Sequence, residues 1–264
     1  QRRLDGLQQW AQDDALVDEA QRRETHDPQM LAITKLMSRL ITAAYATAPA
    51  NLPWLMLETQ RLWVEHGCCA FMIGPLASAA IASISMRQDY RAGYRIARHV
   101  LAGGEARGYE LQTSVARHLL VGAGDHWHQP LEDSVARAHR AREGLLQGGL
   151  LNDAGYTFPA PISALLDCAS NLDDCAAEVE SGMAFAARTG NANLSDALIA
   201  PRQLLRALRG ETSALGCFTD DSFDETEHLA GLGANMVGVL HFHSYRALSA
   251  ALFGLKIDLL PVPP

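Results

Sequence analysis

The chain has 264 residues, of which 48% are hydrophobic and 20% are charged, and its formal net charge at pH 7 is -8. An apolar content this high with so small a net charge excludes an intrinsically disordered chain. The acidic balance also argues against a non-specific nucleic-acid binder, which would be expected to be basic.

The first helices are predicted from their start and stop signals. Residues 1–26 are interpreted as an N-terminal connecting segment with a short helix. Asp27-Pro28 is typical of a helix start, with an acidic N-cap followed by proline in the first turn. Apolar residues then recur at steps of three and four over Met30–Ala44, which predicts an amphipathic helix. A second helix is predicted over Pro53–Glu65, and Gly67 is expected to end it.

The next predicted helix, Ala70–Met86, is apolar on nearly all sides, which places it at the centre of a helical core. It lies in the longest apolar region of the chain, Cys68–Met86, which also carries Gly74, Pro75 and three serines. No stretch of about 18 uninterrupted apolar residues occurs. The region is therefore predicted to be a buried helix and not a membrane span.

Further apolar stripes predict the remaining helices. A break or strong kink is predicted at Phe158-Pro159-Ala160-Pro161, and a milder one at Pro201, because proline removes a backbone donor and clashes with the preceding turn. No convincing two-residue alternation separates the stripes, so the chain is predicted to be all-α. The stripes and their expected stops are Tyr90–Leu101 before Gly103-Gly104, Leu111–Leu119, Leu131–Leu145 before Gly148-Gly149, and Ala176–Ala186 before Gly190-Asn191.

The spacing of helix openings suggests a repeat. Similar openings occur at Gln88–Ala92, Leu131–Val135 and Leu172–Ala176. Their interval of about 42 residues lies between the lengths of tetratricopeptide and HEAT-type repeats and accommodates two helices per unit. We therefore predict stacked antiparallel helical hairpins over 27–254, in a tetratricopeptide-like α-solenoid superhelix, followed by a proline-rich tail or linker at 255–264. A single globular helical domain is the alternative.

Several short motifs occur in a fixed order along the chain. They are Asp27-Pro28, Leu40-Ile41-Thr42-Ala43-Ala44-Tyr45, His66-Gly67, Ser78-Ala79-Ala80, Asp89-Tyr90-Arg91-Ala92-Gly93-Tyr94, His126-Trp127 with Pro130, Gly149-Leu150-Leu151-Asn152-Asp153-Ala154-Gly155-Tyr156, and Phe223-Asp224-Glu225. Over roughly residues 20–250, this series resembles the helical region of large bacterial multidomain signalling proteins. In that family a serine/threonine-kinase-like domain and a NACHT- or AAA-like ATPase precede the helical region, and a sensory domain and often a histidine kinase follow it.

The resemblance implies a non-catalytic regulatory or protein-interaction module of a bacterial two-component signalling kinase. Such a module couples a protein partner or small effector to the flanking ATPase and kinase domains. The sequence agrees, because it lacks a Gly-x-x-x-x-Gly-Lys-Ser/Thr phosphate loop and the kinase motifs His-Arg-Asp and Asp-Phe-Gly. No catalytic residue, cofactor, metal or nucleic-acid partner is predicted for this segment. An odd number of cysteines, five, with no signal peptide before them favours the cytoplasm.

An enzymatic alternative rests on Asp220-Asp221-Ser222-Phe223-Asp224. The string matches the Asp-Asp-x-x-Asp pattern with which helical terpene-type synthases hold Mg²⁺ against a diphosphate. Such enzymes need a second metal motif. Asn152-Asp153 begins one, but Tyr156 and Ala160 stand where Ser and Glu are required. Capping of a helix near Thr226 explains the carboxylates more simply.

Two other features have alternative interpretations. The pairs His126/His128 and His241/His243 are interpreted as core or capping histidines, because helical positions two apart diverge by about 200°. The helical region also fits the ligand-sensing arm of an ATP-dependent transcription regulator. A helix-turn-helix domain after the segment would distinguish that protein class from the signalling kinase.

The candidate partner or ligand face consists of aromatic and arginine side chains. Arg202, Arg206 and Arg209 are spaced i, i+4 and i+7, so they share a predicted helix face that can meet an acidic partner or a phosphate. A solvated face is the alternative for these arginines, and a plain core position is the alternative for Tyr90 and Tyr94. Trp127 is expected to anchor a helix junction. The full candidate set is Tyr90, Tyr94, Arg98, Trp127, Tyr156, Arg202, Arg206 and Arg209.

Overall fold

Helices make up 78% of the computed structural model, and no strand occurs among the residues that it describes. These residues are 2–11, 23–233 and 235–255, without the side chains at 2, 42, 45, 46 and 237. The fold is all-α, as the sequence predicts. Residues 12–22 of the predicted N-terminal segment and residues 256–264 of the predicted tail lie outside the described residues.

The chain divides into two compact units, Gln1–Ala160 and Pro161–Pro264, and the predicted repeat region 27–254 includes residues of both. The helices of the first unit are α1 Arg2–Trp10, α2 Pro28–Thr47, α3 Leu52–His66, α4 Ala70–Arg87, α5 Tyr90–Glu105, α6 Glu110–Ala123, α7 Leu131–Gln147 and α8 Leu151–Gly155, with 3₁₀ turns at Pro49–Asn51 and Asp125–Trp127. Helix α9, Pro159–Cys168, begins at the boundary. The second unit continues with α10 Leu172–Thr189, α11 Ala192–Leu208, α12 Glu225–Leu232 and α13 Met236–Phe253.

Helix α4 forms the centre of the first unit, as its composition predicts. It packs against α2, α3, α5 and α6, and Met72, Ile73 and Leu76 are fully buried in the resulting core. The sequence prediction excluded a membrane span because the apolar run is interrupted. By length and composition, however, Ala70–Arg87 is long and apolar enough to cross a membrane, with a mean hydropathy of 1.3 and 44% of its residues buried inside the protein.

The helix caps largely follow the local sequence. Asp27 accepts a hydrogen bond from the backbone N–H of Gln29 at 2.9 Å, as expected of an N-cap. Gly67 follows α3 directly. Gly190 ends α10 in the left-handed conformation, with φ of 66°, where glycine carries no Cβ penalty.

The predicted stop at Gly103-Gly104 is wrong. Helix α5 continues through both glycines to Glu105. A Cβ on Gly104 would lie 2.5 Å from Cγ2 of Thr113 on α6. This glycine therefore allows two helices to approach closely, which is a tertiary requirement and not a helix stop.

The predicted buried face of α6 is also displaced. Leu111, Val115 and Leu119 are only half-buried, whereas Arg117 is 2% exposed and belongs to the buried face. Its guanidinium pairs with carboxylates that lie outside the apolar pattern, so hydrophobic periodicity does not place it. The buried positions of α6 are Thr113, Ser114, Ala116, Arg117, Leu120 and Val121.

The two predicted proline breaks have different outcomes. Helix α8 ends at Gly155 and α9 begins at Pro159, so the first break is confirmed. The guanidinium carbon of Arg142 lies 3.5 Å from the ring centre of Phe158 beside this break. No break occurs at Pro201, because α11 runs through this buried proline. Packing of α11 against α10 and α13 can offset the lost backbone hydrogen bond.

Candidate functional site

The arginines Arg202, Arg206 and Arg209 come together at one cleft in the second unit. The cleft has a volume of about 230 Å³. Helix α11 supplies one wall, α10 supplies the facing wall, and residues between α11 and α12 complete it. Its lining residues are Ala176, Val179, Glu180, Arg202, Leu205, Arg206, Arg209, Glu211 and Ser222.

Helix spacing explains why one face of α11 carries these cations. Steps of four and three residues return to nearly the same side of a helix, so the i, i+4, i+7 spacing aligns the three side chains. Leu205 lies on this face as well and is buried. On α10, Ala176, Val179 and Glu180 follow the same rule and present apolar surface with one carboxylate. The cleft is therefore mixed, with apolar surface between charged groups.

The guanidinium of Arg206 forms ion pairs with carboxylates of its own unit. Its Nε lies 3.1 Å from Oδ2 of Asp220, whose side chain is only 3% exposed, and 3.9 Å from Oε2 of Glu211. The Asp220 contact is the closer of the two and involves the better-shielded carboxylate. Arg206 therefore already has an internal counter-ion in the cleft.

Asp220 is held on several sides. Gln203, which is fully buried, donates from Nε2 to Oδ2 of Asp220 at 2.8 Å. The backbone N–H and the hydroxyl of Ser222 both donate to Oδ1 at 2.7 Å. Burial acts to raise the pKa of Asp220, but these hydrogen bonds and the charge of Arg206 outweigh it and lower the pKa to about 2. Asp220 is thus a fixed anion that orders the segment between α11 and α12.

Arg209 has a more exposed partner. Its Nη2 pairs with Oδ1 of Asp173 in the first turn of α10, and the side chain of Asp173 is 89% exposed. Water screens such a surface pair strongly, so it contributes little to stability. A charged ligand can therefore displace this contact more readily than the Arg206–Asp220 contact.

Arg202 is the uncommitted arginine of the cleft. It has neither an ion pair nor a hydrogen bond with any residue that the structure describes, and its Nε is buried without an acceptor. Burial lowers the pKa of the neighbouring His228, and the charge of Arg202 acts in the same direction against the opposite effect of Asp196. Arg202 is therefore the lining residue best placed to hold an added anionic group.

Glu180 is the corresponding uncommitted carboxylate. It lines the cleft from α10, its side chain is exposed, and within the described ranges it has no hydrogen bond or ion pair. No sequence pattern marks Glu180 as a site residue, because a lone glutamate on a helix face carries no signal. The pairing of α10 with α11 places it on the same cleft as Arg202.

The predicted aromatic residues lie in the first unit. Tyr90 and Trp127 contact each other, with ring centres 5.3 Å apart, and are 43% and 61% exposed. Tyr94 lies against His128, at 4.4 Å between ring centres, and its hydroxyl accepts a hydrogen bond from Gln129 at 2.9 Å. These side chains form a partly exposed aromatic cluster where α5 begins and α6 ends.

The other two candidates of the first unit do not join this cluster. Arg98 is exposed on α5 and Tyr156 is 49% exposed after α8, and no described contact links either of them to Tyr90 or Trp127. The candidate set therefore separates into four aromatic residues and Arg98 in residues 1–160 and three arginines in residues 161–264.

The predicted role of Trp127 as the anchor of a helix junction is wrong, because its side chain is largely exposed. The junction between α6 and α7 instead contains a fully buried carboxylate, Asp125. Its Oδ2 accepts a hydrogen bond from Ser134 at 2.9 Å and pairs with Arg137. Sequence patterns favour the large aromatic residue as an anchor, but the short acidic side chain reaches two partners on α7.

Two carboxylates of the Asp220–Asp224 string, those of Asp220 and Asp224, have structural partners. Oδ1 of Asp224 accepts from the backbone N–H groups of Thr226 and Glu227, at 2.9 and 2.8 Å, and so caps α12 as predicted. The oxygens of Asp220 are engaged by Gln203, Ser222 and Arg206, as described above. Mg²⁺ coordination by this string would have to compete with those contacts.

The His-x-His pairs show no shared ligand geometry. His126 lies in the 3₁₀ turn Asp125–Trp127 and His128 directly follows that turn, while His241 and His243 are on α13. Burial lowers the pKa of His241. In the described part of the chain, no group of three or more His, Cys, Asp or Glu side chains is arranged to hold a metal ion.

Comparison of the chain with protein-family models, curated proteins and solved structures gives no match.

Proposed function

We propose that this chain is a non-catalytic regulatory and interaction module of a bacterial cytoplasmic signalling kinase. It binds a small effector or a protein partner and couples that binding to flanking ATPase and kinase domains. The observation that carries the proposal is the cleft between α10 and α11, with uncommitted Arg202 and Glu180 on opposing helices. The ordered motifs of the family resemblance supply the place of the module within a longer protein.

The arrangement of the helices supports stacked hairpins as the architecture of the module. Helix α4 contacts the next helix in the chain, α5, and also the next but one, α6. Helix α11 contacts α13, which is the next helix but one. Contacts of both kinds are expected when antiparallel helix pairs stack in a tetratricopeptide-like array. Gly190-Asn191 connects α10 to α11 in two residues, a length typical of antiparallel neighbours.

The position of the cleft provides a route for coupling. A ligand that contacts both α10 and α11 stabilises one relative position of these helices over others. Small sliding movements of packed helices are a known way of transmitting such a preference. The Arg206–Asp220 contact ties the same cleft to the segment before α12, so occupancy can also bias that segment.

The coding region on both sides of the segment provides the first test. A kinase-like domain and a phosphate-loop ATPase before it, with a sensory or histidine-kinase domain after it, would support the proposal. A helix-turn-helix domain after it would support a transcription regulator instead. A reading frame confined to these 264 residues would overturn the coupling role.

The second test uses the full-length parent protein. We expect the double variant Arg202→Gln/Glu180→Gln to change effector-dependent ATPase or autokinase activity while the melting temperature is kept. Arg188→Gln is the matched control, because Arg188 is exposed on α10 and does not line the cleft. Equal regulation in both variants would overturn this cleft as the coupling site.

A further inference from the structure

We propose that the cleft binds a zwitterionic small molecule of the α-amino-acid type with a short aliphatic side chain. The proposal rests on the proposed function for its assignment of the cleft as an effector site, and it adds the chemical class of the effector. It follows from the charges left uncommitted in the cleft, the apolar surface between them and the volume enclosed.

The cationic side of the cleft offers one available guanidinium. Arg206 is paired with Asp220, and Arg209 is paired with Asp173. Only Arg202, among the three arginines, has no ion pair or hydrogen bond with the described residues. The planar guanidinium can bind a carboxylate through two parallel hydrogen bonds, so this arginine suits one carboxylate group.

The anionic side offers one available carboxylate. Glu180 faces the cleft from α10, and no described ion pair joins it to Arg202 across the cleft. A ligand ammonium near Glu180 would have its charge compensated there. A ligand with both charges therefore satisfies both walls, whereas a simple anion meets the repulsion of Glu180 and a simple amine meets that of Arg202.

Charge also argues against a phosphate-bearing ligand. Glu180 and Glu211 line the cleft, and Asp220 lies directly behind Arg206. A dianion would face these carboxylates with one uncommitted arginine as its counter-charge. The electrostatic balance therefore disfavours nucleotides and sugar phosphates and favours a ligand with no net charge.

The remaining lining and the volume define the rest of the ligand. Ala176, Val179 and Leu205 provide apolar contact for a short aliphatic group. The volume of about 230 Å³ is below the roughly 300–1,000 Å³ of pockets for drug-sized ligands. An amino acid the size of valine suits this space better than a large aromatic or nucleotide ligand.

Isothermal titration of the full 264-residue chain tests the proposal with L-valine, two analogues of L-valine and inorganic phosphate. We expect L-valine to bind. We expect 3-methylbutanoate, which lacks the amino group, and 2-methylpropylamine, which lacks the carboxylate, to bind at least about tenfold more weakly, because each leaves one charge of the cleft without a partner in the complex. Inorganic phosphate should bind no better than these analogues. Equal or tighter binding of phosphate or of either analogue would overturn the proposal.

Substitutions on α10 and α11 that change the affinity for L-valine provide a second, independent test. Arg202→Gln and Glu180→Gln should each weaken L-valine binding at least about tenfold. The exposed controls Arg188→Gln and Asp167→Asn should leave it unchanged. Arg202→Lys retains the charge but not the guanidinium fork, so it should bind with intermediate affinity and serves if Arg202→Gln unfolds. Unchanged binding in a folded Arg202 variant and in Glu180→Gln would overturn the proposal.

The two proposals fail in different ways. Binding of L-valine without any effect on the parent protein's ATPase or kinase activity would overturn the proposed function and support the ligand class. Failure of all twenty standard amino acids to bind, together with altered regulation in the Arg202→Gln/Glu180→Gln variant, would overturn the ligand class and support the proposed function.

Discussion

Ser114 on α6 stands where a side chain on Gly144 of α7 would have to lie. A Cβ added to Gly144 would come within 2.0 Å of Ser114 Oγ and 2.9 Å of Ser114 Cβ. Both residues are buried, and α6 packs against α7. The closeness of the two helices therefore depends on the absence of a side chain at position 144.

Replacement Gly144→Ala should lower the free energy of unfolding by about 1–2 kcal/mol, because overpacking outweighs the better helix propensity of alanine. Chemical denaturation provides the measurement. Gly122→Ala on α6 is the matched control, since a Cβ there meets no atom within 4 Å, and it should be neutral or stabilising. Equal effects at the two glycines would contradict the close approach.

Substitution of Arg117, whose side chain is buried, should also destabilise the protein. The guanidinium of Arg117 pairs with Glu105 at 2.9 Å and Glu110 at 2.7 Å, although both carboxylates are partly exposed. Arg117→Ala removes the packing of a fully buried side chain and should cost at least about 2 kcal/mol. Glu105→Gln and Glu110→Gln should each cost less than about 1 kcal/mol, because water can solvate their side chains. Urea denaturation of the three variants tests this order.

Stability should decrease as the pH falls from 7 to 5. Burial lowers the pKa of His118 from 6.5 to about 4. In this window the unfolded chain gains a proton at His118 that the folded chain does not, so the unfolded state is favoured by about 1–2 kcal/mol. The lowered pKa values of His228 and His241 act in the same direction. His118→Gln should flatten the dependence of unfolding free energy on pH, and an unchanged slope in that variant would contradict this prediction.

Cys217 should be the first thiol to react with iodoacetamide in the native protein. Burial acts to raise the pKa of Cys217, but hydrogen bonds with Ser213 and with the N–H of Ala214, at 3.3 and 3.2 Å, outweigh it and lower the pKa. Burial and the charge of Glu178 raise the pKa of Cys175 to about 11. Peptide mass spectrometry over time should show Cys217 modified first and Cys175 late. Modification of Cys175 before Cys217 would contradict this assignment.

Substitutions of Asp224 and Asp221 should differ in their effect on stability, because Asp224 caps a helix and Asp221 is an exposed surface residue. Asp224→Ala removes the N-cap of α12 and should cost about 1 kcal/mol, while Asp221→Ala should have little effect, since Asp221 is exposed. Thermal melts should show this contrast. The melting temperature should not rise in millimolar Mg²⁺, because the oxygens of Asp220 and Asp224 already accept hydrogen bonds. A Mg²⁺-dependent rise that Asp221→Ala removes would instead support the enzymatic alternative.

Local signals predicted the helices well and the packing faces less well. Asp27 starts α2, Gly67 follows α3 and Gly190 ends α10, as expected, because caps act within one turn of the chain. Gly104 was wrongly predicted to be a helix stop, and α11 continues through Pro201 without a break. Their roles depend on neighbouring helices, which a local pattern does not contain.

In the candidate site, too, the sequence predicted the local arrangement but not the contacts between distant residues. The spacing of Arg202, Arg206 and Arg209 predicted a shared helix face, and all three line one cleft. Which arginine is available was not predictable, because Arg209 pairs with Asp173, 36 positions earlier, and Arg206 pairs with Asp220 in a later segment. Glu180 gave no signal in the sequence until α10 was placed against α11.

The sequence by itself determined the all-α class, most helix boundaries and the alignment of cations on α11. These properties follow from interactions within three to four residues and from a fixed helical period. Only the tertiary structure decided that Arg117 is buried, that Gly144 must lack a side chain, and that Arg202 and Glu180 share a cleft. Such outcomes depend on the register and distance between helices, which are fixed by packing and ion pairing among residues far apart in the chain.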